Sequence, residues 1–335
     1  MSDSAETPTV QVKEFENDDE FYQGEVLPNT ETKHGTGTQV SKAEMAKYFG
    51  GFKDGKRHGD GQLEWIDPET PFSEFMGAFA DGVPHGMGII TCRNNRTYKG
   101  DFQKGKPTEG MVEYPDKSEY CGGVNLVIER DGYGQITYAD GETWVGEWRD
   151  DKRQGKGMHT KGKVIIEGVY VEDVLIMGQR KVDDEVFFGE FNPAGEYHGK
   201  GQLTYMEGKE YMGGWANGLH DGWGTYRDST SVFEGRWKEG RKEQGTLKYE
   251  NGDSYIGTFT EDGMKDCGVF SYSNGDEYSG AFLNGAREMG LCVYKSTGNV
   301  YKGSYQDGLP HGSGELVTTE GDIYKGEFER GLKNG

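Results

Sequence analysis

Residues 251–296 decide the fold: they read NGDSYIGTFTEDGMKDCGVFSYS over 251–273 and NGDEYSGAFLNGAREMGLCVYKS over 274–296. The second segment repeats the first at a spacing of 23 residues. In the first copy an aromatic residue, a glycine and a second aromatic residue stand two apart, at Tyr255, Gly257 and Phe259. Self-similarity at a period of this length is typical of repeat architectures, so we expect the pattern to extend beyond these two copies.

The aromatic-x-glycine-x-aromatic core recurs almost from end to end of the chain. Its fourteen instances begin 21 to 27 residues apart. They are Tyr22/Gly24/Val26, Tyr48/Gly50/Phe52, Phe75/Gly77/Phe79, Tyr98/Gly100/Phe102, Tyr120/Gly122/Val124, Trp144/Gly146/Trp148, Ile166/Gly168/Tyr170, Phe187/Gly189/Phe191, Tyr211/Gly213/Trp215, Phe233/Gly235/Trp237, Tyr255/Gly257/Phe259, Tyr278/Gly280/Phe282, Tyr301/Gly303/Tyr305 and Tyr324/Gly326/Phe328. Val26, Val124 and Ile166 replace the usual ring, and we expect their units to bend or to be locally distorted.

Each unit predicts one β-hairpin. Residues two apart point to the same face of an extended strand, and the intervening positions, such as Lys99 and Asp101, are mostly polar. A turn such as Asp54-Gly55 follows, a second strand opens with Gly-x-Gly, and a turn such as Asn274-Gly275 returns the chain. We therefore predict an all-β fold: an elongated, single twisted antiparallel sheet, a solenoid-like rod on the order of 130 Å long.

The glycine between the two aromatic residues has a packing role in this prediction. Because it has no side chain, it leaves room for rings from neighbouring strands to lie over the backbone. A larger residue at this position should disrupt the ring stacking. The structural glycines assigned on this basis are Gly100, Gly146, Gly213, Gly235, Gly257, Gly280, Gly303 and Gly326.

The recurring unit resembles the MORN repeat (membrane occupation and recognition nexus). The resemblance rests on Y-x-G-x-[FW]-x-x-G-x-x-x-G-x-G with an Asn-Gly or Asp-Gly turn, repeated from about Tyr22 to Gly335. It implies a stand-alone protein built almost wholly of repeats, similar to radial spoke-head subunits of motile cilia and to protist cytoskeletal collars. The signature motifs of the kinase domain that accompanies such repeats in some proteins are missing from this sequence.

Composition and charge narrow the classes of partner. Of the 335 residues 56 are glycine, and the net charge is -21. Nucleic acid and anionic lipid headgroups both bind basic patches, so this charge disfavours them, although direct membrane binding stays an alternative. The four cysteines show no C-x-x-C spacing, which argues against a disulfide scaffold or a zinc site. Without an apolar leader or a long apolar run, we expect a cytoplasmic protein.

The chain divides into two segments of different composition. Residues 1–21 carry seven acids against one lysine, so we predict an acidic, flexible N-terminal arm. Residues 22–335 form the array of about fourteen MORN repeats. The sequence leaves self-association of the array open.

Four places interrupt the regular array. An insertion is expected near 38–48, where SKAEMAKY predicts a short helical turn behind a Ser41 cap, and another near 66–74, where prolines lengthen a turn. Degenerate repeats are expected near 120–132 and 160–186. These could be docking patches or local repacking, and we favour repacking.

The chemical motifs favour no reaction. Five of the seven histidines precede a glycine, but repeats lie about 10 Å apart, too far for neighbouring histidines to share an ion. The segment 157–164 approaches a phosphate-binding loop, but Val164 stands where a hydroxyl is required. Acidic pairs such as Asp150/Asp151 are interpreted as solvated loops. We assign no catalytic, cofactor-binding or metal-binding residue, and we predict that the protein is not an enzyme.

The predicted function is a structural scaffold that binds other proteins along an aromatic trough. The resemblance favours a cytoskeletal assembly, with the axoneme of a cilium or flagellum as the location and a radial spoke as the model. The alternative is a peripheral adaptor that links membrane phospholipid to the cytoskeleton. The partner-binding rings of the trough are predicted to be Tyr98, Phe102, Trp144, Trp148, Tyr211, Trp215, Phe233, Trp237, Tyr255, Phe259, Tyr278, Phe282, Tyr301 and Tyr305.

Overall fold

The structure, a computed structural model, describes residues 9–335 of the chain. Two compact units divide it, the first ending at Val174 and the second running from Leu175 to Gly335. In the described residues the regular structure is all strand except for one 3₁₀ turn, Met206–Gly208. The predicted all-β class is therefore confirmed.

The first unit contains strands β1 to β14, and each pairs antiparallel with its neighbours in sequence. This order is the predicted meander. The strands are β1 (Gln11–Glu16), β2 (Glu20–Val26), β3 (Lys33–Ser41), β4 (Ala46–Lys53), β5 (Lys56–Trp65), β6 (Phe72–Ala80), β7 (Val83–Cys92), β8 (Thr97–Gln103), β9 (Lys106–Glu113), β10 (Glu119–Val124), β11 (Arg130–Thr137), β12 (Thr143–Arg149), β13 (Lys152–Lys161) and β14 (Val164–Val171).

The second unit repeats the same order with strands β15 to β29. The strands are β15 (Val174–Val182), β16 (Glu185–Phe191), β17 (Tyr197–Thr204), β18 (Glu210–Ala216), β19 (Leu219–Arg227), β20 (Ser231–Lys238), β21 (Arg241–Tyr249), β22 (Ser254–Phe259), β23 (Lys265–Ser271), β24 (Glu277–Leu283), β25 (Ala286–Val293), β26 (Val300–Gln306), β27 (Leu309–Val317), β28 (Ile323–Glu329) and β29 (Leu332–Asn334). In both units every predicted aromatic-x-glycine-x-aromatic core lies on an even-numbered strand.

A glycine row sets the register of neighbouring strands. Gly88 of β7 is the cross-strand partner of Gly100 of β8, which in turn partners Gly110 of β9. After this row the register of many hairpins slips by one or two residues, for example by two between Gly213, which pairs with Gly224, and Trp215, which pairs with His220. On the opposite strand of that hairpin Gly222 has a φ of 83°, which glycine adopts without the steric cost that a Cβ brings. The first glycine of Gly-x-Gly thus forms a β-bulge, which the sequence interpretation missed.

Residues 1–21 were predicted to form a flexible N-terminal arm, but the described part of this segment contains a paired strand. Strand β1 lies within it and pairs with β2 over six residue pairs. The Phe15 ring packs 5.2 Å from the Tyr22 ring, so one aromatic contact continues the core into a segment that net charge alone made look flexible. Residues 1–8 lie outside the described residues.

The two predicted insertions have different outcomes. Residues 42–45 form a turn rather than a helix, although the Glu44 N–H does donate to the Ser41 hydroxyl at 3.2 Å. With β4 beginning at Ala46, the segment is too short to complete hydrogen-bonded helical turns. Residues 66–71 form an irregular loop between β5 and β6, as the prolines predicted.

The degenerate segment near 120–132 is repacked locally. Ile128 occupies the position of the missing turn glycine with a φ of 61°, a conformation that a β-branched residue rarely adopts. The Ile128 side chain is fully buried. The Asn125 side-chain oxygen accepts hydrogen bonds from the backbone N–H groups of Val127 and Glu129. Burial and these hydrogen bonds offset the backbone strain. This finding supports repacking over a docking patch at Ile128.

Candidate functional site: the two faces of the sheet

The predicted trough rings form the core of the molecule. Thirteen of the fourteen are at most 7% exposed, and Phe259 is partly buried. They pack on each other in T-shaped pairs, as Trp144 does on Trp148 at 4.6 Å between ring centroids. Partner binding by these rings stays a prediction. Their burial, however, leaves almost none of their surface for a partner, because consecutive rings cover one another. We name this surface the inner face.

The structural glycines make room for the ring of their own strand. The Tyr98 ring folds back over Gly100, two residues later, and over its partner Gly110, and a Cβ on either would overlap the ring. A ring of the neighbouring strand thus lies over Gly110, whereas the ring over Gly100 belongs to its own strand, which the sequence interpretation did not anticipate. The same arrangement recurs at Gly146, Gly213, Gly235, Gly257, Gly280, Gly303 and Gly326.

Tyrosine at the first ring position adds a hydrogen bond that phenylalanine cannot make. The Tyr120 hydroxyl donates to the Gly123 carbonyl at 2.8 Å, and the Tyr211 hydroxyl donates to the Gly214 carbonyl at 2.9 Å. The acceptor lies three residues later, beside the bulge. Burial raises the pKa of Tyr48 to about 12, so the hydroxyl keeps the proton that it donates.

Cations cover the edge of the ring layer. Lys242 is the cross-strand partner of Trp237, and its Nζ lies 5.0 Å from the Phe233 centroid and 5.9 Å from that of Phe259. Burial lowers the pKa of Lys242, and the ring faces attract its charge. Arg57 covers Tyr48 in the same way. These cations stand five residues after the second ring, a periodic signal that the sequence interpretation overlooked.

His220 occupies the equivalent position opposite Trp215. Its ring stacks on Tyr211 at 3.6 Å, and its Nε2 lies 2.9 Å from the Tyr205 hydroxyl. Burial lowers the pKa of His220 to about 4. The imidazole is therefore neutral at physiological pH, unlike the lysine and arginine side chains that take the equivalent position opposite Trp237 and Phe52.

The outer face of the same strands carries exposed apolar residues. All ten methionines of the described residues are exposed. Phe49, Met76 and Trp223 lie on this face with 56%, 52% and 74% of their surface accessible. Methionine usually fills gaps in cores, and its flexible thioether suits adaptable binding surfaces. The intervening strand positions, predicted to be mostly polar, thus hold the candidate contact surface.

In the first unit the cross-strand register aligns apolar residues of this face with Gln62, Lys99 and Gln135 in one row, which we name the outer stripe. It crosses β4 to β13 and consists of Phe49, Gln62, Met76, Ile89, Lys99, Met111, Cys121, Gln135, Val145 and Met158. Acids lie two residues to either side along the strands, and we name them the acidic borders: Glu64, Glu74, Glu113 and Glu119 on one side and Asp60, Asp101, Glu109 and Glu147 on the other.

On the second unit the outer face has a different electrostatic character. Met177, Phe188, Met212 and Trp223 line an open groove of about 750 Å³ above a floor of glycines. Acids here pair with bases: Lys325 with Glu315 at 3.2 Å, Arg236 with Glu243 at 3.1 Å and Lys238 with Asp221 at 3.5 Å. Several acids of this face are thus paired with bases, unlike the acidic borders of the first unit.

A family model for the MORN repeat matches nine segments of the chain, which together cover about half of it. The chain belongs to the MORN-repeat family. The matched segments are residues 48–67, 75–95, 129–143, 144–162, 194–209, 211–231, 233–254, 301–323 and 324–335. MORN repeats are a non-catalytic repeat type that indicates protein interaction or membrane association.

Among characterised proteins the chain is similar to Alsin. It is 37% identical to Alsin of Homo sapiens, Mus musculus and Rattus norvegicus over 75 residues, 20% of this chain. The match spans only 4% of the length of Alsin. The similarity therefore extends to a few repeats and not to the whole of that protein.

Asp151, in a turn between two MORN strands, does not have the solvated environment that the sequence predicted for it. Asp151 accepts hydrogen bonds from Arg130 Nε at 2.9 Å and from Arg96 Nη1 at 3.1 Å. Arg130 also stacks 3.8 Å from the Trp148 ring. Asp151 has a positive φ where other repeats have glycine, and its ion pairs fix the turn. It is thus a structural residue of the repeat edge rather than a solvated loop residue.

In residues 9–335 the structure contains neither a cluster of metal-ligating side chains nor a membrane-spanning helix. No group of three or more histidine, cysteine or acidic side chains in this range is arranged to hold a metal ion. Within the same range, none of the helical structure has the length and apolar character to cross a bilayer.

Proposed function

We propose that this MORN-repeat protein is a non-enzymatic scaffold of a cytoskeletal assembly that binds partner proteins through the outer face of its sheet. The observation that carries the proposal is the placement of seven of the ten described methionines, with Phe49 and Trp223, at exposed strand positions of the outer face. An apolar surface of this kind is typical of protein interaction sites. The inner face supports this part less well, because its rings are already packed on one another.

The location that we propose is the axoneme of a cilium or flagellum, with the protein as a subunit similar to those of radial spoke heads. The support for this location is the resemblance to stand-alone proteins made of the same repeats. The net charge of -21 opposes the alternative, a phospholipid-associated adaptor, since anionic leaflets attract basic segments.

The experiment is extraction of native cells that carry the tagged chain with nonionic detergent, followed by imaging. We expect the chain to remain on a filament, collar or axoneme, and a Met76→Glu/Met111→Glu/Met158→Glu variant to be lost from it. As matched control, Met45→Glu/Met206→Glu/Met264→Glu changes exposed methionines that lie in turns between strands. Release of the unmodified chain with the lipid fraction would contradict the proposal and favour the membrane adaptor.

A further inference from the structure

The acidic borders of the first unit contain charge arrangements that the fold itself does not need. Glu64 of β5 is the direct cross-strand partner of Glu74 of β6, and Glu113 of β9 is the partner of Glu119 of β10. Like charges directly opposite each other destabilise an antiparallel pair. These two pairs lie on the same side of the outer stripe, where they concentrate negative potential.

No base of the described residues forms an ion pair with a border acid. The ion pairs of the first unit involve other acids, such as Glu20 with Lys33 and Asp151 with Arg130. Lys47 is the cross-strand partner of Glu64 without forming such a pair. The second unit provides the contrast, because Glu234 and Glu315 on its outer face pair with Lys248 and Lys325.

We propose that the outer stripe and its acidic borders form a docking site for a basic amphipathic helix of a partner protein. This inference rests on the proposed function and adds the chemistry of the partner. Apolar side chains of the helix lie on Phe49, Met76, Met111 and Met158, and lysine or arginine side chains on its flanks reach the acids on both sides. Methionine side chains adapt to the shape of such a helix.

The dimensions favour a helix over an extended strand. Border acids lie two residues from the stripe, about 7 Å along each strand, so the two borders are about 13 Å apart. A helix with its side chains is about 10 to 12 Å wide and fills this width, whereas one strand leaves the acids out of reach. Ten strands at about 4.8 Å give a stripe about 43 Å long, which accommodates a helix of about 30 residues.

The test uses the full chain and a fluorescently labelled peptide of about 30 residues that folds into a leucine/lysine amphipathic helix. Anisotropy measures its affinity for the chain, for Glu64→Gln/Glu74→Gln/Glu113→Gln/Glu119→Gln, and for the control Glu190→Gln/Glu234→Gln/Glu277→Gln/Glu315→Gln on the second unit. Both variants change net charge equally. We expect the first to weaken binding at least tenfold and the control less than twofold. Added salt should weaken binding to the unmodified chain.

Three results would overturn the proposal. The first is equal weakening by both variants, which assigns the binding to overall charge. The second is equal affinity for a leucine/glutamate peptide of the same pattern. The third is binding of phosphatidylserine vesicles by the chain without binding of the leucine/lysine peptide. Circular dichroism checks that the variants fold, and the neutral substitutions relieve repulsion between strands.

The proposal of a scaffold function and the proposal of a docking site can be disproved independently of each other. If the first-unit variant remains on the cytoskeleton as the unmodified chain does, while its peptide affinity is unchanged, the docking site is wrong and the scaffold stands. If the unmodified chain leaves with the lipid fraction, the scaffold itself is wrong.

Discussion

The inner and outer faces of the same strands differ in how strongly the repeat constrains the residues that occupy them. On β6, Phe75 is fully buried on the inner face, while the next residue, Met76, is 52% exposed on the outer face. The inner position fits against two glycines and a neighbouring ring, so its identity is fixed by geometry. The outer position has no such neighbours. The repeat therefore determines one face and leaves the other free to carry function.

Truncation of neighbouring side chains on the two faces gives the largest expected contrast. Phe75→Ala should lower the free energy of unfolding by about 3–5 kcal/mol, because it removes a buried ring and leaves a cavity. Met76→Ala should change it by less than about 0.5 kcal/mol. Urea denaturation followed by circular dichroism measures both. Similar losses for the two variants would mean that the outer face is also packed.

A glycine-to-alanine substitution in the glycine row tests the packing of the inner face by adding an atom instead of removing a ring. Gly134→Ala should cost about 1–3 kcal/mol, because the new Cβ overlaps the Tyr120 ring and a buried sheet leaves it little room to move. Gln135→Ala, one residue later on the outer face, is the control and should be nearly neutral. Thermal denaturation measures both, and an unchanged midpoint for Gly134→Ala would disprove the close approach of ring and backbone.

The buried imidazole of His220 makes part of the inner face dependent on pH. Its pKa of about 4 in the folded protein is below the ordinary value of 6.5, so the unfolded chain binds more protons between these values. The stability that the neutral ring contributes is present above pH 6.5 and is lost as the pH falls toward 4. We expect a loss of about 1–2 kcal/mol after discounting for partial exposure.

The variant His220→Phe separates this titration from the acids of the chain. It retains a ring against Tyr211 but cannot bind a proton. We expect lower stability at pH 7, since the Tyr205 hydroxyl loses its partner, and a smaller fall between pH 6.5 and 4. Urea midpoints across this range measure the slope, and an unchanged slope contradicts the assignment.

Removal of a single tyrosine hydroxyl should have different effects on stability at the inner and outer faces. Tyr120→Phe should cost about 1 kcal/mol, because the Gly123 carbonyl loses its hydrogen-bond donor beside the bulge. Tyr133 lies 68% exposed on the outer face, so Tyr133→Phe is the matched control and should be neutral. Hydrogen exchange of the amides of β10 and β11 reports the local effect, and equal protection in both variants would exclude a role for this bond.

The smallest predicted effect is an increase in the free energy of unfolding, and it comes from a substitution in the acidic borders. Glu64→Gln should stabilise the first unit by a few tenths of a kcal/mol, because it removes repulsion from Glu74 across the strand pair. The control Glu277→Gln on the second unit should not stabilise, since its cross-strand partners are Ser271 and Val293. High-precision thermal melts at low salt compare the two, and the difference should shrink as salt screens the charges.

Sequence periodicity predicted the strands because alternation of rings and glycines is a local property. Tyr255, Gly257 and Phe259 lie on one face, as their spacing requires. The fold of each ring over its own strand, by contrast, depends on the bulge, which only the paired strand reveals. The same holds for Lys242, whose role depends on the rings of three strands, although its spacing of five residues from Trp237 was visible.

The acidic borders were beyond prediction for a related reason. Glu113 and Glu119 belong to different strands, and their opposition follows from the register between β9 and β10. The trough prediction grouped ring positions that share one face of the strands within each unit, but it took their apolar area as available without considering how much of it neighbouring rings cover. Exposure of Met76 and Met111 required the alternation to be followed to the second face.

The meander order also bears on how the chain is made. Within the described part of each unit, residues 9–335 in all, every strand pairs only with its sequence neighbours, as β12 does with β11 and β13. Contacts of such short sequence separation can form as soon as a hairpin leaves the ribosome, without waiting for distant segments. Each new hairpin then finds a completed strand edge to dock on. We expect synthesis and folding to proceed together in the direction of translation, and a chain stalled after a whole hairpin to be already folded up to that point.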